Sequence, residues 1–310
     1  MSATAFRVLH FSDVHVQRPV LSAPKAELLG KRFLAGLNLW LSRGKHFVEA
    51  REKLQALASF AVEQRVSLAL CSGDYTAMGT SDELADARAA VEALRQSSPL
   101  GLVTVPGNHD LYLPDTLRDH RFDRHFGDVL SSDLPEYQVD GPFPFVRLFG
   151  EQLAVIGVNS ARPNPNPFRS SGCVPEPQLA ALARILDDAR LDGRWLIVMT
   201  HYGVLRRDGR PDSKSHGLDN AAELVRVCAR PRLLLVHGHI HHTYHHAATA
   251  ERPWLFCAGS TTQQGREGFW LYEVSAERFV ATPGDYAEGR YRLRSDAVVV
   301  IERVREAAAG

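Results

Sequence analysis

Short apolar runs that stop at polar residues dominate the hydrophobic pattern of the first third of the chain. The runs are Phe6–Phe11, Val66–Cys71 and Leu102–Val105. Each has the length of a strand and is followed at once by polar and turn-forming residues. This pattern predicts buried strands that end in loops able to carry functional side chains.

Helical spacing fills the stretches between several of the apolar runs. Over residues 46–64, one face can be shared by Phe47, Leu54, Leu57, Ala58 and Val62. A helix over residues 81–96 has Ser81 or Asp82 as its expected cap. Two further helices are predicted over about 175–190 and near 218–229.

Strand patterns continue through the rest of the chain, and in the tail they follow one another without helices. The predicted strands are Pro144–Phe149, Gln152–Val158, Trp195–Thr200, Arg232–Val236, Trp254–Ala258, Phe269–Val274 and Ala297–Glu302. Helices that alternate with strands, followed by strands alone, predict an α/β fold with two packed sheets flanked by helices. No linker or repeat divides residues 1–310, so we expect a single domain.

Five of the predicted strand ends carry residues that can bind a metal ion. They are Asp13-Val14-His15, Gly73-Asp74, Gly107-Asn108-His109-Asp110, His201 and Gly238-His239-Ile240-His241. Loops at the carboxyl ends of strands in an α/β sheet meet in one crevice, so these side chains are expected to converge. In an extended segment the outer side chains of Asp13–His15 and of His239–His241 point to one side, and Val14 and Ile240 point into the core.

The mixture of side chains at these strand ends indicates a pair of transition-metal ions rather than calcium. Imidazole nitrogens suit zinc, iron and similar ions, whereas carboxylate and amide oxygens suit manganese or magnesium. Two ions held about 3.5–4 Å apart need a bridging anion, which a carboxylate can supply. Each piece alone is a common turn or structural feature; the prediction depends on their order and their shared position at strand ends.

In this order, the Asp-x-His, Gly-Asp, Gly-Asn-His-Asp, single His and Gly-His-x-His pieces resemble the calcineurin-like metallophosphoesterase superfamily. Gly107–Asp110 and Gly238–His241 are the most specific pieces, and the resemblance covers about residues 6–260. It implies a four-layer α/β/β/α sandwich of two mixed sheets flanked by helices, in agreement with the strand pattern. It also implies hydrolysis of a phosphate ester by in-line attack of a hydroxide that bridges two divalent ions.

The resemblance also implies a role for each candidate residue. One ion would be held by Asp13, His15, Asp74 and His241, and the other by Asp74, Asn108, His201 and His239, with Asp74 bridging. His109 would be the catalytic residue beside the substrate phosphate, where it stabilises developing charge or protonates the leaving group. Manganese, iron and zinc all suit such a ligand set, so two ions are expected and their identity is left open.

Residues 73–79 differ from the Gly-Asp-x-x-Asp-Arg-Gly stretch of the protein serine/threonine phosphatases in this superfamily. Ala77 replaces the carboxylate that orients the catalytic histidine, and Met78 replaces a phosphate-binding arginine. The stretch is more similar to that of bacterial members related to the class III cyclic nucleotide phosphodiesterases. The resemblance therefore favours a small phosphodiester over a phosphoprotein, and leaves open whether Asp110 orients His109.

Residues 19–48 form a basic, apolar insertion where a short connection would be expected. One helical face would be formed by Leu29, Phe33, Leu37, Trp40 and Leu41, flanked by Lys31, Arg32, Arg43 and Lys45. Residues 18–45 carry six basic residues and one acidic residue in a chain of zero net charge. The segment is either a lid helix packed on the domain or a basic amphipathic helix that covers a lipid-like substrate or touches a membrane surface.

The lipid-binding interpretation leads to an alternative function. The insertion is similar in character to the apolar lid of the UDP-2,3-diacylglucosamine diphosphatases of lipid A synthesis, a branch of the same superfamily. The alternative is thus a pyrophosphate hydrolase acting at the membrane surface. A third hypothesis, a scaffold without turnover, is disfavoured because His109 and every expected ligand are present.

Composition and charge exclude few classes of binding partner and few cellular compartments. The 36 basic and 36 acidic residues balance, so nothing global favours nucleic acid. The four cysteines show neither zinc-site nor disulfide spacing. The sequence shows no secretory signal and no bilayer-spanning run. We expect a cytoplasmic enzyme with a small phosphate-ester substrate, peripheral to the inner membrane if the insertion binds lipid, and make no prediction of its oligomeric state.

Overall fold

The computed structural model describes residues 6–19, 31–41 and 43–303. The strands of this part of the chain are β1 (Phe6–Phe11), β2 (Leu68–Cys71), β3 (Leu102–Thr104), β4 (Phe145–Phe149), β5 (Leu153–Gly157), β6 (Trp195–Met199), β7 (Leu233–His237), β8 (Thr243–His246), β9 (Trp254–Ala258), β10 (Phe269–Val274), β11 (Arg278–Ala287), β12 (Arg290–Leu293) and β13 (Val299–Glu302). The α-helices are α1 (Lys31–Leu41), α2 (Ala50–Glu63), α3 (Ser81–Ala90), α4 (Glu92–Ser97), α5 (Pro114–Arg118), α6 (Arg121–Phe126), α7 (Glu176–Leu186) and α8 (Ala221–Cys228).

The first sheet has the strand order β12-β11-β10-β1-β2-β3, and β13 also pairs with β11. β1, β2 and β3 are parallel, whereas β10 to β13 join by antiparallel pairing. The parallel strands end at the same edge of the sheet. The loops that begin after Phe11, Cys71 and Thr104 therefore start side by side.

The second sheet has the strand order β4-β5-β6-β7-β9-β8. β5, β6, β7 and β9 are parallel, and β4 and β8 form antiparallel edges. The loops after β6 and β7 carry His201 and Gly238–His241. Both sheets are mixed, as predicted.

Aromatic side chains join the facing surfaces of the two sheets. The ring centroids of Trp195 and Phe279 lie 5.6 Å apart, as do those of Phe256 and Tyr272. Such aromatic pairs contribute about 0.5–1.5 kcal/mol each beyond the burial of their area. The Trp270 indole also donates to the Cys257 carbonyl oxygen at 2.8 Å. The hydrophobic core therefore lies between the sheets.

Helices cover the outer faces, which confirms the predicted α/β/β/α sandwich. The Phe60 ring of α2 lies 4.9 Å from the Phe269 ring of the first sheet. α7 and α8 are the crossovers of the parallel strands β5, β6 and β7 and contact each other. None of the described helices has the length and apolar character needed to cross a bilayer.

Two predicted helices differ from the observed ones, the first at its start and in one exposed residue, the second at its cap and by an internal break. A 3-10 turn over Arg43–Phe47 precedes α2, and Val62, which was expected on its buried face, is 63% exposed. The helix predicted over residues 81–96 is divided at Val91 into α3 and α4. Its cap is Thr80 rather than Ser81 or Asp82, because Thr80 and Glu83 form a reciprocal capping box.

Three strands were not predicted from the sequence: β8, β11 and β12. β8 was interpreted only as part of a histidine cluster, although Tyr244 and His245 pair with β9. β11 contains Pro283 and Gly284, which normally interrupt strand patterns. Here β11 extends to Ala287 and pairs with β12 beyond the proline, so its tertiary neighbours outweigh the local signal.

Helix α1 of the insertion is anchored to the domain by a buried arginine. The Arg32 guanidinium donates to both carboxylate oxygens of Asp115, at 2.6 and 3.0 Å, and to the Met78 carbonyl oxygen at 3.0 Å. Arg32 was expected among the charges flanking the apolar face, but it fixes the helix to the domain instead. Phe33 remains 60% exposed. Leu29 lies outside the described residues, as do the side chains of Trp40, Leu41 and Arg43.

Candidate metal centre

The loops after β1, β2 and β7 hold several candidate ligands in a left-handed backbone conformation. The φ angles are 53° at Asp13, 42° at His15, 60° at Asp74, 68° at His239 and 56° at His241. Asp and His tolerate this region better than most residues, yet each such residue still stores strain. Strain concentrated at one place indicates that side-chain position, rather than backbone stability, determines these loops.

These angles correct the extended conformation predicted for Asp13–His15 and His239–His241. His239 and His241 line one cavity, and Asp13 Oδ1 and His15 Nε2 lie 3.0 and 3.4 Å from His241 Nε2, through a turned backbone rather than through strand alternation. Val14 is fully buried, as predicted. Ile240 lines the cavity instead of pointing into the core.

The first group of side chains is formed by Asp13, His15, Asp74 and His241, whose potential ligand atoms all lie within 4.8 Å of one another. His241 Nε2 lies 3.0 Å from Asp13 Oδ1 and 3.4 Å from His15 Nε2. His15 Nε2 lies 3.7 Å from Asp74 Oδ2. The ring nitrogens and carboxylate oxygens thus face a common point.

The second group is formed by Asn108, His201 and His239, next to the same Asp74. Asn108 Oδ1 lies 3.0 Å from both His201 Nε2 and His239 Nδ1. His201 Nε2 also lies 3.5 Å from Asp74 Oδ2. Asp74 Oδ2 therefore faces a histidine of each group, and the structure brings all seven predicted ligands together.

The donor set and one buried oxygen fit a pair of divalent cations. Asp13 Oδ1 is buried and, among the described residues, accepts no hydrogen bond, although His241 Nε2 is 3.0 Å away. Burial raises the pKa of the Asp13 carboxyl, but the His241 and His201 rings lower it more, and the net pKa lies below its ordinary value. A buried carboxylate oxygen without a donor is costly, and a cation at this point would compensate it.

Hydrogen bonds on the far side of each ring orient the candidate histidine ligands. Nδ1 donates to an oxygen in three of them: His15 to Thr76 O at 2.9 Å, His201 to Ser72 O at 2.8 Å and His241 to Gln263 Oε1 at 2.5 Å. His239 is reversed, with Nε2 donating to His216 O at 3.0 Å. Burial lowers the pKa of His201 and His239, which favours the neutral rings that bind metals.

Two glycines are required by the close approach of the loops. A Cβ atom at Gly107 would overlap Asp74 Oδ1, and one at Gly238 would overlap Ser12 Oγ and Asp13 Oδ2. The sequence suggested that glycine allows the backbone to approach the ions. The structure shows a more direct reason, since glycine leaves room for the carboxylates themselves.

The Asp110 carboxylate ties the loops after β2 and β3 together. It accepts hydrogen bonds from the backbone N–H groups of Asp74 at 2.9 Å, Tyr75 at 2.9 Å, Thr76 at 3.1 Å and Gly107 at 2.8 Å. Burial and the charge of Asp74 raise the pKa of Asp110 to about 7, against these backbone donors. Asp110 thus holds the loops that carry Asp74 and Asn108.

The ring of His109 is oriented by a backbone oxygen and an aromatic neighbour. Its Nδ1 donates to the Ala77 carbonyl oxygen at 2.6 Å, and its ring stacks on Tyr112 at 5.4 Å between centroids. The backbone N–H of His109 donates to Asp74 Oδ1 at 2.8 Å. Where the protein phosphatases of the superfamily place an orienting carboxylate, this chain uses the main-chain oxygen of the replacing residue, Ala77.

Four of the candidate ligands, Asp74, Asn108, His239 and His241, line a cavity of about 510 Å³. Its walls include Lys31, Leu34, Phe47, His109, Tyr112, Arg169, His216, Gln263 and Arg266. Phe47 contacts two candidate ligands, with ring centroids 4.8 Å from His15 and 6.4 Å from His241. The insertion therefore supplies part of the roof over the centre.

Gln263 and His216 are polar residues of the cavity that contact candidate ligands and were not identified from the sequence. Gln263 lies in the loop after β9, so the rule that selected the other strand ends could have found it. His216 lies in the loop after β6, fifteen positions beyond His201, and no spacing signal marks it. Only the tertiary structure brings it to the cavity.

Several solved structures share the fold of this chain. A dimetal phosphatase from Danio rerio aligns with 94% of this chain and 99% of its own, at 14% identity and a TM-score of 0.62. PhoD aligns with 97% of this chain and 70% of its own, at 10% identity and a TM-score of 0.63. A purple acid phosphatase from yellow lupin (Lupinus luteus) seeds aligns with 98% of this chain and 54% of its own, at 12% identity and a TM-score of 0.60. At these identities the similarity shows the fold alone.

No curated protein sequence matches the chain. The family model of the calcineurin-like phosphoesterases matches residues 6–243, which is most of the chain. The matched range includes all seven candidate ligands and His109. The chain thus belongs to the calcineurin-like phosphoesterase family and is a metal-dependent phosphoester hydrolase.

Proposed function

We propose that the protein is a phosphodiesterase that uses two metal ions to hydrolyse a small phosphodiester. The observation that carries this proposal is the position of Asp74 Oδ2, 3.7 Å from His15 Nε2 and 3.5 Å from His201 Nε2. One carboxylate oxygen between two sets of nitrogen and oxygen donors is the arrangement that a bridged pair of ions requires.

The residues of such a site would have different roles. Asp13, His15, Asp74 and His241 would hold one ion, and Asp74, Asn108, His201 and His239 the other. Bound ions would polarise the phosphoryl oxygens and make water nucleophilic near neutral pH. His109, held by the Ala77 carbonyl oxygen, would contact the phosphate and stabilise the charge that develops or protonate the leaving group.

Two features support a small diester over a phosphoprotein. The cavity of about 510 Å³ is roofed by the insertion, which leaves room for a ligand of modest size. Met78, at the position of a phosphate-binding arginine in the protein phosphatases, is 1% exposed and does not line the cavity. Manganese, iron and zinc all suit the proposed donors, and manganese is the ion chosen for the test.

The test is metal-dependent hydrolysis of bis-p-nitrophenyl phosphate. Protein stripped by a chelator should be inactive, and added manganese should restore turnover. Asn108→Ala and His241→Ala should each lose at least about 10²-fold in kcat/KM, since each removes one donor from the reacting centre. p-Nitrophenyl phosphate and a phosphopeptide should be poorer substrates. Absence of metal-dependent turnover on every ester, or preference for the phosphopeptide, would contradict the proposal.

An apolar cavity beside the centre supports a second candidate, hydrolysis of an amphiphilic phosphate ester. The cavity has a volume of about 760 Å³, and Phe33, Leu37, Phe47 and Val48 are among its apolar lining residues. Phe47 lines this cavity and the metal-site cavity. A substrate with its phosphate at the metal centre could place an acyl chain past Phe47.

Activity on UDP-2,3-diacylglucosamine in detergent tests this candidate. Replacing Phe33 and Leu37 together by serine should reduce turnover of this lipid by about tenfold or more, because each buried CH₂ contact contributes about 0.8 kcal/mol. Turnover of bis-p-nitrophenyl phosphate should remain. Phe168→Ser is the matched control, since Phe168 is 88% exposed and lines neither cavity. Equal losses on both substrates, or no lipid turnover by the unaltered protein, would exclude an acyl-binding role.

A further inference from the structure

His216 lines the metal-site cavity and forms a polar pair with Asp212, and neither residue belongs to the proposed set of metal ligands. Both lie in the loop between β6 and α8, and His216 Nδ1 donates to Asp212 Oδ2 at 2.6 Å. Asp212 Oδ1 accepts the backbone N–H of Ser213 at 2.7 Å. With Nδ1 committed to Asp212, Nε2 is the ring nitrogen that remains for a ligand in the cavity.

The position of the His216 ring is fixed against the metal centre. It stacks on His239 with 4.1 Å between centroids, and the His216 carbonyl oxygen accepts from His239 Nε2 at 3.0 Å. His109 lies in the same way beside the first group of candidate ligands, with its ring centroid 5.0 Å from that of His15. A phosphate bound across both groups would therefore lie between two histidines that are not proposed ligands.

Polar side chains line the cavity on the side of His216. Arg169 is one of them, and the backbone N–H of the adjacent Ser170 donates to the Ser215 carbonyl oxygen at 2.8 Å, which places this segment beside His216. The insertion contributes Leu34, Ala35 and Phe47 as well as the charged Lys31. A substrate group that lies toward His216 and Arg169 therefore meets polar side chains.

Asp212, His216 and His239 also have ligand atoms within 4.8 Å of one another, which is close enough for a cation. The planes of the two imidazoles differ by only 30°. Because the lone pairs lie in the ring planes, stacked rings direct them side by side rather than toward one point. This geometry favours a contact between His216 and an organic ligand over a third metal site.

We propose that His216, held by Asp212, is a specificity-determining residue that binds a hydroxyl group on the organic part of the substrate, as in a ribose, a sugar or a glycerol. The proposal rests on the phosphodiesterase function proposed above. A hydroxyl can donate to or accept from Nε2, so the contact holds in either protonation state of the ring. Sites built to bond a hydroxyl reject the analogue that lacks it.

Two chromogenic esters with the same leaving group test the proposal on the full-length, manganese-loaded protein. They are the p-nitrophenyl esters of uridine 5′-phosphate and of 2′,3′-dideoxyuridine 5′-phosphate. The unaltered enzyme should prefer the hydroxylated ester by about tenfold in kcat/KM, the effect of one hydrogen bond. His216→Phe keeps a ring to stack on His239 and should reduce this ratio to about one, and Asp212→Asn should reduce it part of the way.

The matched control is His246→Phe, which should keep the ratio, because His246 bonds the Arg206 carbonyl oxygen outside the cavity. Equal rates on both esters by the unaltered enzyme would overturn the subsite while leaving the phosphodiesterase proposal intact. An unchanged ratio in His216→Phe, or loss of a third metal equivalent in Asp212→Asn, would also overturn it. Hydrolysis of neither ester, together with no turnover of bis-p-nitrophenyl phosphate, would overturn both proposals.

Discussion

Replacing Asp74 by asparagine is expected to lower kcat/KM on phosphodiesters by at least about 10³-fold, because loss of a single preorganised group at a reacting centre already costs 10²–10³. Asp74 Oδ2 faces His15 and His201, one from each group of donors. Asparagine keeps the shape of the side chain but lacks the negative charge that two adjacent cations require. Steady-state kinetics with manganese, together with metal analysis, measures the effect.

Metal stoichiometry distinguishes a bridging residue from an ordinary ligand. Asp74→Asn should weaken the binding of both ions, whereas Asn108→Ala should release one, since Asn108 Oδ1 lies 3.0 Å from His201 Nε2 and His239 Nδ1 of the second group. Asp128→Asn is the control, because Asp128 pairs with Arg88 on the surface and should keep two ions and full activity. Two tightly held ions and undiminished turnover in Asp74→Asn would rule out the bridging role.

Replacing Asp110 by alanine is expected to destabilise the metal-free protein by at least about 3 kcal/mol. Four backbone N–H groups in the loops after β2 and β3 would lose their acceptor, and each buried donor left unpaired costs about 1–3 kcal/mol. Urea denaturation in the presence of a chelator measures this loss without a contribution from bound metal. Activity should also fall, because Asp74 and Asn108 would lose their fixed separation.

Asp110→Asn separates the acceptor role from simple side-chain volume. Asparagine keeps one oxygen but directs an NH₂ group at backbone donors, so it should destabilise the protein nearly as much as alanine does. Asp128→Asn again serves as the surface control, with a shift within about 0.5 kcal/mol. A midpoint of unfolding unchanged in both Asp110 variants would show that water replaces the carboxylate in holding the loops.

The sequence by itself predicted the sandwich because its strands are short, apolar and separated by helices of regular spacing. It also selected the residues of the candidate centre, because the carboxyl ends of parallel strands meet at one edge. β11 was missed, since Pro283 and Gly284 hide a strand that its neighbours stabilise. The cap at Thr80 and the break at Val91 were missed because helix ends depend on one or two local hydrogen bonds.

The sequence alone predicted which side chains could hold two cations, because residue chemistry, strand ends and the order of the motifs that resemble the superfamily need no coordinates. Only the tertiary structure decided how those side chains are held. The Ala77 carbonyl oxygen accepts from His109 Nδ1 and orients that ring. The Asp110 carboxylate accepts from backbone N–H groups of two loops. Gln263 and His216 reach the cavity from distant loops. The physical reason is that a hydrogen bond depends on distances of a few tenths of an ångström between segments far apart in the chain, and no local pattern encodes such distances.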